Sequence, residues 1–307
     1  MTPASVEIVE VGPRDGLQNA SVTLAPAVRA ELVGLLAGTG LPRIEVASFV
    51  HPGRVPRMAG AEEVVAALDA GPGARHCGLV LNERGLDRLL GSGLREARFT
   101  FAAADAFNQR NSNASTADGL AAARSVLARA RAEGASAGVV LATSFGCPFS
   151  GEVDAGLVVE LAAELADAGA EEIVFADTIG VAVPRQVRRV LEGAAGLGPR
   201  LGVHLHNTRN TGYLCAFVAL EAGAQVLDAS VGGLGGCPFA PQATGNIATE
   251  DLVYMLEREG VATGIDLERL VAVTRWLEER TGLAAPGQLH RVDTFPPRQV
   301  ASATATG

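Results

Sequence analysis

The feature of the sequence that most limits its fold is a regular alternation of two kinds of segment. Short runs rich in β-branched residues alternate with longer, alanine-rich amphipathic segments, and these patterns are typical of strands and helices. The predicted strands span residues 6–12, 43–49, 76–82, 97–103, 137–143, 172–178, 201–207 and 225–231. The predicted helices span residues 26–38, 61–70, 83–92, 115–133, 153–169, 184–196, 211–222 and 246–259. Eight strands that are each followed by a helix predict an α/β protein, and the number fits a (β/α)8 barrel.

The main alternative to a barrel is a doubly wound open sheet, which usually carries a glycine-rich phosphate-binding turn after its first strand. Here the first strand runs into GPRDGLQN, which lacks the GxGxxG pattern. Polar residues collect instead where strands end: Arg14, Asp15, Glu45, Asp105, Asp177, His204 and His206. In a TIM barrel these strand ends converge on one mouth, where barrel enzymes place their chemistry. We therefore expect a TIM (β/α)8 barrel.

The predicted barrel accounts for most of the chain as one domain. After the eighth helix, LERLVAVTRWLEERTG (267–282) predicts a further amphipathic helix, which would form a C-terminal helical extension. Residues 284–307 are rich in Pro, Ala and Thr and lack periodicity, so we expect an extended or disordered tail. The predicted organisation is a single catalytic domain over residues 1–283, followed by this tail.

Composition restricts the class of partner. The chain has a net charge of −9 and no run of Lys or Arg, so nucleic acid is not an expected partner. No apolar run is long enough to span a membrane, and the N-terminal residues lack the pattern of a secretory signal. We therefore expect a cytoplasmic protein without a membrane partner. The four cysteines form no CxxC or Cys/His zinc pattern.

Two histidines at the end of the seventh strand suggest a metal site. In VHLHN, His204 and His206 lie two residues apart, so their imidazoles point to the same face of a strand. The competing interpretation is a pair of hydrogen-bonded core histidines. Asp15 favours the metal site, because strands one and seven of a closed eight-stranded barrel are separated only by strand eight, so a carboxylate and two imidazoles could meet.

Arg14 and Asp15 also have two interpretations. They could form a surface ion pair in a tight turn, which would contribute roughly 0–1 kcal/mol. However, they follow an apolar strand and lie at its C-terminal end, where a guanidinium could stabilise an enolate and a carboxylate could bind metal. Together with the histidine pair, the second interpretation is the stronger one.

Several longer motifs occur in an order that resembles a known family. They are GPRDGLQN near the N-terminus, SFVHPGRVPRM (48–58), FGCPFSG (145–151), FADTIGV (175–181), VHLHNT (203–208) and GGLGGCPFAPQATGNIATEDLVYML (232–256). In this combination the chain resembles the 3-hydroxy-3-methylglutaryl-CoA lyase family of the DRE-TIM metallolyases, over residues 6 to 282. Claisen-condensing synthases share the RDG turn and the HxH strand, but the cysteine loop points to the lyase branch.

The resemblance implies Asp15, His204, His206 and Asn246 as ligands of Mg²⁺ or Mn²⁺. This mixture of carboxylate, imidazole and amide oxygen suits a harder divalent ion better than structural zinc. The resemblance also implies an acyl-CoA thioester substrate, and barrels of this type are often homodimers.

The resemblance further implies roles in catalysis. Arg14 would stabilise the enolate oxygen of the thioester, and His204 and Cys237 would share the proton transfers. Glu45 would support the metal site, or it could be a buried partner for an arginine. Asp177 would be a further carboxylate near the metal, or it could cap a short turn. Cys237 could also be a packing thiol, and Cys147, in a second GCPF sequence, is expected to be structural.

Some positions depart from the pattern of the family. Asn207, Arg209 and Asn210 follow the second histidine, where an acidic residue and a tyrosine are common, and Val140 occupies a position that is often tyrosine. His51 and Arg54 differ as well. These differences could be neutral variation in barrel loops. They could also shift the substrate to another 3-hydroxyacyl-CoA such as citramalyl-CoA. Two further functions are compatible with these residues, namely a Claisen-condensing synthase and a non-catalytic metal- or CoA-binding protein.

Overall fold

The computed structural model of the chain describes residues 2–68, 73–236, 245–292 and 295. Eight parallel strands pair in chain order and close into a barrel, because β8 also pairs with β1. The strands are β1 (Glu7–Glu10), β2 (Arg43–Ser48), β3 (Arg75–Val80), β4 (Glu96–Ala102), β5 (Ser136–Ala142), β6 (Glu172–Asp177), β7 (Arg200–Leu205) and β8 (Val226–Ala229). The expected TIM barrel is confirmed, and each strand lies at its predicted place in the chain.

Helices connect the strands and cover the outside of the barrel. They are α1 (Pro26–Ala37), α2 (Ala61–Ala66), α3 (Glu83–Gly91), α4 (Asp105–Ser112), α5 (Thr116–Ala132), α6 (Ala155–Asp167), α7 (Pro184–Ala194), α8 (Gly212–Glu221), α9 (Thr249–Glu259) and α10 (Leu267–Thr281). Helix α10 is the expected C-terminal extension. Strands such as β2 and β6 are buried at every residue, as expected for a parallel sheet covered on both faces.

Helix α4 was not predicted, because its sequence DAFNQRNS is short and mostly polar. Tertiary contacts hold it in place: the amide of Asn108 exchanges two hydrogen bonds with the backbone of Ala102 and donates a third to Thr116. Asp105 is exposed at the start of this helix and accepts a hydrogen bond from the backbone of Thr116. Asp105 therefore serves a local turn.

Helix α9 begins later than the predicted start at residue 246. Asn246 forms an isolated antiparallel bridge with His206, and Ala248 forms a parallel bridge with Ser230. These backbone contacts keep residues 246–248 extended, so that the helix begins at Thr249. The consequence is that Asn246 lies beside the end of β7.

A layer of charged residues occupies the interior of the barrel. Arg98 of β4 lies 3.0 Å from Asp228 of β8 and 3.9 Å from Glu45 of β2 and Glu172 of β6. Because these strands alternate around the barrel, contacts between them must cross its interior. Such layers are usually filled by Val, Ile and Leu.

Residues 284–292 differ from the extended or disordered tail that was expected from Ala284. Ala285 is buried, the backbone N–H of Gly287 donates to Gly232, and Leu289–Arg291 form a 3-10 turn in which His290 is buried. The segment lacks periodicity because individual contacts with the barrel order it. Apart from residue 295, the rest of the predicted tail lies outside the described residues.

Within the described part of the chain, no helix is both long enough and apolar enough to cross a bilayer.

Candidate active site

A single wide turn after β1 places Arg14 and Asp15 at the mouth of the barrel. The turn spans Gly12–Gly16, and the backbone N–H groups of Arg14, Asp15 and Gly16 all donate to the carbonyl of Val11. The Arg14 guanidinium donates to Glu45 through Nε at 2.9 Å and to Asp15 Oδ1 at 2.5 Å. Arg14 is only 7% exposed, so this pair is not a solvated surface ion pair.

His204 and His206 project together from the end of β7. Their Nε2 atoms lie 3.3 Å apart, and both residues are buried. The Nδ1 atom of His204 lies 3.2 Å from Oδ2 of Asp228. With Nδ1 held against this carboxylate, Nε2 of His204 faces the site.

Asp15 completes a group of ligand atoms with the two histidines. Oδ2 of Asp15 lies 3.9 Å from Nε2 of His204, and one ligand atom from each of the three residues lies within 4.8 Å of the others. Ligand atoms around an octahedral ion with bonds of about 2.1 Å are separated by about 3 to 4 Å. The observed separations fit a divalent ion, as expected for the three residues.

Asn246 is the fourth expected ligand, and it lies against this group. Its Nδ2 donates to Oδ2 of Asp15 at 2.8 Å and to the carbonyl of Leu234 at 2.9 Å. Its Oδ1 is buried without a hydrogen-bond partner among the residues that the structure describes. An unpartnered amide oxygen beside a carboxylate and two imidazoles suits Mg²⁺ or Mn²⁺. Only glycine fits at Gly235, where φ is 134° and a Cβ would collide with the Asn246 amide.

The charges of the group favour the metal-binding protonation states of Asp15 and His206. Burial alone would raise the pKa of Asp15, but Arg14, both histidines and the Asn246 amide outweigh it and hold this pKa below its usual range. Burial, together with the charge of His204, lowers the pKa of His206 to about 4. At neutral pH, Asp15 is therefore an anion and His206 a neutral imidazole.

The contacts of Glu45 and Asp177 match the second interpretation of each residue. Glu45 is fully buried and pairs with Arg14, so it orients a residue of the mouth and lies outside the metal-binding group. The two oxygens of Asp177 accept hydrogen bonds from the backbone N–H groups of Val181 and Ala182. Asp177 therefore caps the turn after β6, and its expected role as a further carboxylate near the metal stays a prediction.

Cys237 lies outside the described residues, so its expected role stays a prediction. The two ends of its loop are described, and they meet at the site. A Cβ on Gly245 would collide with the backbone of Gly235, and the backbone N–H of Asn207 donates to Gly245. Cys147 is buried and its sulfur accepts a hydrogen bond from the backbone N–H of Phe149, in agreement with a structural role.

The residues that depart from the family pattern lie in different environments. His51 and Arg54 are exposed, and Arg209 donates to the carbonyls of Ile179 and Gly180 in the neighbouring loop. Arg209 therefore stabilises a loop. Val140 is buried in a cluster of small apolar side chains with Val174 and Ala176. Because Ala176 is paired with His204 in the sheet, this cluster lies beside the site.

Sequence reasoning missed three buried charged residues that support the site. Asp228 contacts His204, Arg98 contacts Asp228, and Glu10 accepts hydrogen bonds from Gly12, Val231 and Thr249. The available signal was a charged residue inside a mostly apolar strand. Such a residue must find a buried partner.

The chain is similar to proteins of one enzyme family over nearly its whole length. A sequence model described as HMGL-like matches residues 5–277. The (R)-citramalyl-CoA lyase of Chloroflexus aurantiacus is 42% identical, over 97% of this chain and 98% of that protein. The hydroxymethylglutaryl-CoA lyase YngG of Bacillus subtilis is 40% identical, over 93% and 96%. The structure of an HMG-CoA lyase from Acinetobacter baumannii in complex with coenzyme A and 3-methylmalate superposes with a TM-score of 0.91, 34% identity, and coverage of 96% and 98%.

Coverage this complete, together with a closed barrel and a site at its mouth, shows the family. The chain belongs to the HMGL-like family and is a carbon–carbon lyase of the hydroxymethylglutaryl-CoA lyase type.

Proposed function

We propose that the chain cleaves the C2–C3 bond of a tertiary 3-hydroxyacyl-CoA and releases acetyl-CoA, in a reaction that depends on Mg²⁺ or Mn²⁺. The preferred substrate in this proposal is 3-hydroxy-3-methylglutaryl-CoA, which would give acetoacetate as the second product. The observation that carries the proposal is the group formed by Asp15, His204 and His206, with the buried guanidinium of Arg14 beside it. The relatives named as lyases of acyl-CoA thioesters support the class of substrate.

Asp15, His204, His206 and Asn246 would hold the metal. When it is bound, the divalent ion polarises the substrate oxygens and makes the 3-hydroxyl group more acidic. His204 offers Nε2 to the site because Nδ1 is held by Asp228, so Nε2 is the atom at which this side chain could bind metal or move a proton.

Arg14 would stabilise the charge that develops on the thioester. A base removes the proton of the 3-hydroxyl, the C2–C3 bond breaks, and its electron pair becomes the enolate of acetyl-CoA. A permanently charged guanidinium that two carboxylates already orient can donate to that enolate oxygen without reorganisation. An acid then protonates C2, and we assign the two proton transfers jointly to His204 and Cys237.

The test is release of acetyl-CoA from 3-hydroxy-3-methylglutaryl-CoA by the purified chain with Mg²⁺ or Mn²⁺. We expect acetyl-CoA and acetoacetate in equal amounts, and loss of the activity with EDTA that excess Mn²⁺ reverses. Turnover that is unchanged after complete removal of metal would contradict the metal dependence. No product from any 3-hydroxyacyl-CoA would favour a non-catalytic binding protein.

The second candidate substrate is citramalyl-CoA, and the relative from Chloroflexus aurantiacus supports it. Citramalyl-CoA has the same methyl and hydroxyl groups but lacks one methylene before the carboxylate, and it would give pyruvate. One methylene changes kcat/KM by about 10- to 200-fold in a shaped pocket. The ratio of kcat/KM for the two thioesters, measured from acetoacetate and pyruvate formation, distinguishes the candidates.

Condensation is the third candidate reaction. It would join C2 of an acyl-CoA to the keto carbon of a 2-oxo acid at the same site, and hydrolysis of the resulting thioester by water would release free CoA. Incubation with acetyl-CoA and a panel of 2-oxo acids, with detection of free thiol, would reveal it. The homodimer and the cytoplasmic location stay predictions, and light scattering of the purified chain measures the first.

A further inference from the structure

The charged layer inside the barrel has an unusual composition for its position. Glu45, Arg98, Glu172 and Asp228 come from the alternate strands β2, β4, β6 and β8, and each is at most 5% exposed. Removing such charges from water is costly, and a well-packed apolar layer is often at least as stable. The layer therefore requires an explanation other than stability.

Arg98 lies near both carboxylates that orient residues of the site, and it donates a hydrogen bond to one of them, Asp228. Its Nη2 donates to Oδ1 of Asp228 at 3.0 Å, and Oδ2 of the same carboxylate lies 3.2 Å from Nδ1 of His204. Its Nη1 lies 3.9 Å from Oε2 of Glu45, the oxygen that accepts from Arg14. One side chain, Asp228, thus separates the Arg98 guanidinium from His204, an expected metal ligand. Another side chain, Glu45, separates it from Arg14 at the mouth.

We propose that Arg98 is a positioning residue, which fixes Asp228 and through it the orientation of His204. The inference rests on the proposed metal-dependent function. Arg98 and His204 hold Asp228 from opposite sides, one at each oxygen, so the carboxylate has a defined rotation. Without Arg98, Oδ1 of Asp228 would need another hydrogen-bond donor inside the closed barrel.

The electrostatics of the layer agree with this role. Glu45 is paired with Arg14, and Glu172 is paired with Arg43 at 2.7 Å. Asp228 lies between Arg98 and His204, with one oxygen facing each of them. Arg98 is the fixed cation in direct contact with it.

The neighbouring strand leaves room for Arg98 to reach across the barrel. Arg98 is paired in the sheet with Gly138 of β5, and Gly138 is paired with Glu172. A Cβ on Gly138 would lie 3.1 Å from Cβ of Glu172. This position of β5 therefore adds no side chain beside Arg98 and Glu172 in the layer.

The experiment compares Arg98→Met with Arg43→Met as a matched control. Both variants lose one buried guanidinium, but Arg43 contacts Glu7, Glu96 and Glu172 and none of the carboxylates that orient the site. The first readout is the Kd for Mn²⁺, from the electron paramagnetic resonance signal of the free ion. Thermal unfolding without metal is measured in parallel, to show the structural cost of each substitution.

We expect Arg98→Met to weaken Mn²⁺ binding by about 10- to 100-fold, the usual effect of losing a partner that orients a metal ligand. Arg43→Met should keep the Kd of the parent within about threefold, with a similar loss of thermal stability. Equal Kd values for Arg98→Met and the parent would overturn the proposal and leave Arg98 a structural residue. If the parent itself does not bind Mn²⁺, the proposed metal site fails, and the assignment of Arg98 fails with it.

Arg98→Lys keeps the test decisive if the methionine variant does not fold. Lysine retains the charge, but a point-like ammonium group does not hold a carboxylate in the way a planar guanidinium does. We expect an intermediate Kd for Mn²⁺. A Kd and kcat equal to those of the parent would show that positioning by the guanidinium is not needed. The double variant with Arg98→Met and Asp228→Asn should bind Mn²⁺ almost as tightly as Asp228→Asn alone. The reason is that Arg98 and Asp228 act on the metal through the same residue, His204.

Discussion

A single imidazole connects the interior of the barrel to its mouth. His204 contacts Asp228 through Nδ1, and through Nε2 it faces His206 and Asp15. The same side chain could be a metal ligand or a proton carrier, and the contact at Nδ1 determines which nitrogen is available. The properties of this residue therefore depend on a partner in another strand, 24 positions away.

Asp15→Asn should abolish metal binding while preserving the fold. The amide cannot supply the negative charge that Mg²⁺ and Mn²⁺ prefer, so we expect Mn²⁺ affinity and kcat/KM to fall by at least about 100-fold. Equilibrium dialysis with Mn²⁺ and the lyase assay measure both. Asp105→Asn is the matched control, because Asp105 also follows a strand but is exposed and serves only a local turn. Parent-like Mn²⁺ binding by Asp15→Asn would remove Asp15 from the metal site.

Cys237→Ala should lower kcat without lowering stability. A positioned proton-transfer group contributes about 10²- to 10⁴-fold to the rate, and we expect a loss in that range at saturating substrate. Cys147→Ala is the control, because Cys147 has the same local GCPF sequence and is a buried packing thiol. Cys147→Ala should keep kcat but lose about 1 kcal/mol of unfolding free energy. Full activity of Cys237→Ala would exclude this thiol from the mechanism.

At the scale of elements, one buried carboxylate joins three segments around the site. Glu10 of β1 accepts hydrogen bonds from Gly12 in the turn after β1, from Val231 after β8 and from Thr249 at the start of α9. The first of these segments carries Asp15, and the residues between the other two include Asn246. Glu10 thus holds together the segments that supply two of the four expected ligands.

Glu10 should make the stability of the protein depend on pH. Burial raises the pKa of Glu10 from 4.5 to about 8, against the hydrogen bonds from Thr249, Val231 and Gly12. The folded state then binds more protons than the unfolded state between these pH values, so stability falls as the pH rises through this window. The contribution of Glu10 could reach roughly 5 kcal/mol across the window.

Glu10→Gln is isosteric with the protonated side chain and should remove this contribution. Urea unfolding at pH 5.5 and at pH 8.5 measures the effect. We expect a smaller decrease in unfolding free energy between the two pH values for Glu10→Gln than for the parent. The same decrease in both proteins would mean that Glu10 is ionised throughout the range.

At the scale of the whole molecule, the site joins opposite parts of the chain. Asp15 follows β1, the two histidines belong to the end of β7, and Asn246 follows the loop after β8. Closure of the barrel between β1 and β8 brings these distant segments together. A metal bound there would bind only the folded state.

Metal should therefore raise the thermal stability of the whole protein. At a Mn²⁺ concentration of 100 times Kd, binding stabilises the native state by about 2.7 kcal/mol. For a domain of this size, this corresponds to an increase in Tm of roughly 4 °C. Differential scanning fluorimetry with increasing Mn²⁺ measures the shift, and Asp15→Asn should show almost none. An equal shift in that variant would place the stabilising ion elsewhere.

The sequence alone was sufficient for the barrel and for the shared face of the two histidines on β7. Strand and helix periods are local properties, so eight alternations predicted the architecture and the place of every strand in the chain. The spacing of His204 and His206 predicted a shared face for the same reason. Helix α4 was not predicted because tertiary contacts of Asn108 stabilise it. The ordered backbone of residues 284–292 was not predicted because individual contacts with the barrel stabilise it.

Only the tertiary structure determined how the charged residues are partnered. Arg98 and Asp228 are 130 positions apart, and Glu10 and Thr249 are 239 apart, so nothing local in the sequence pairs them. The same holds for Glu45, whose partner Arg14 lies 31 positions away in the chain. A buried charge requires a partner, but the register and closure of the barrel decide which residue that partner is.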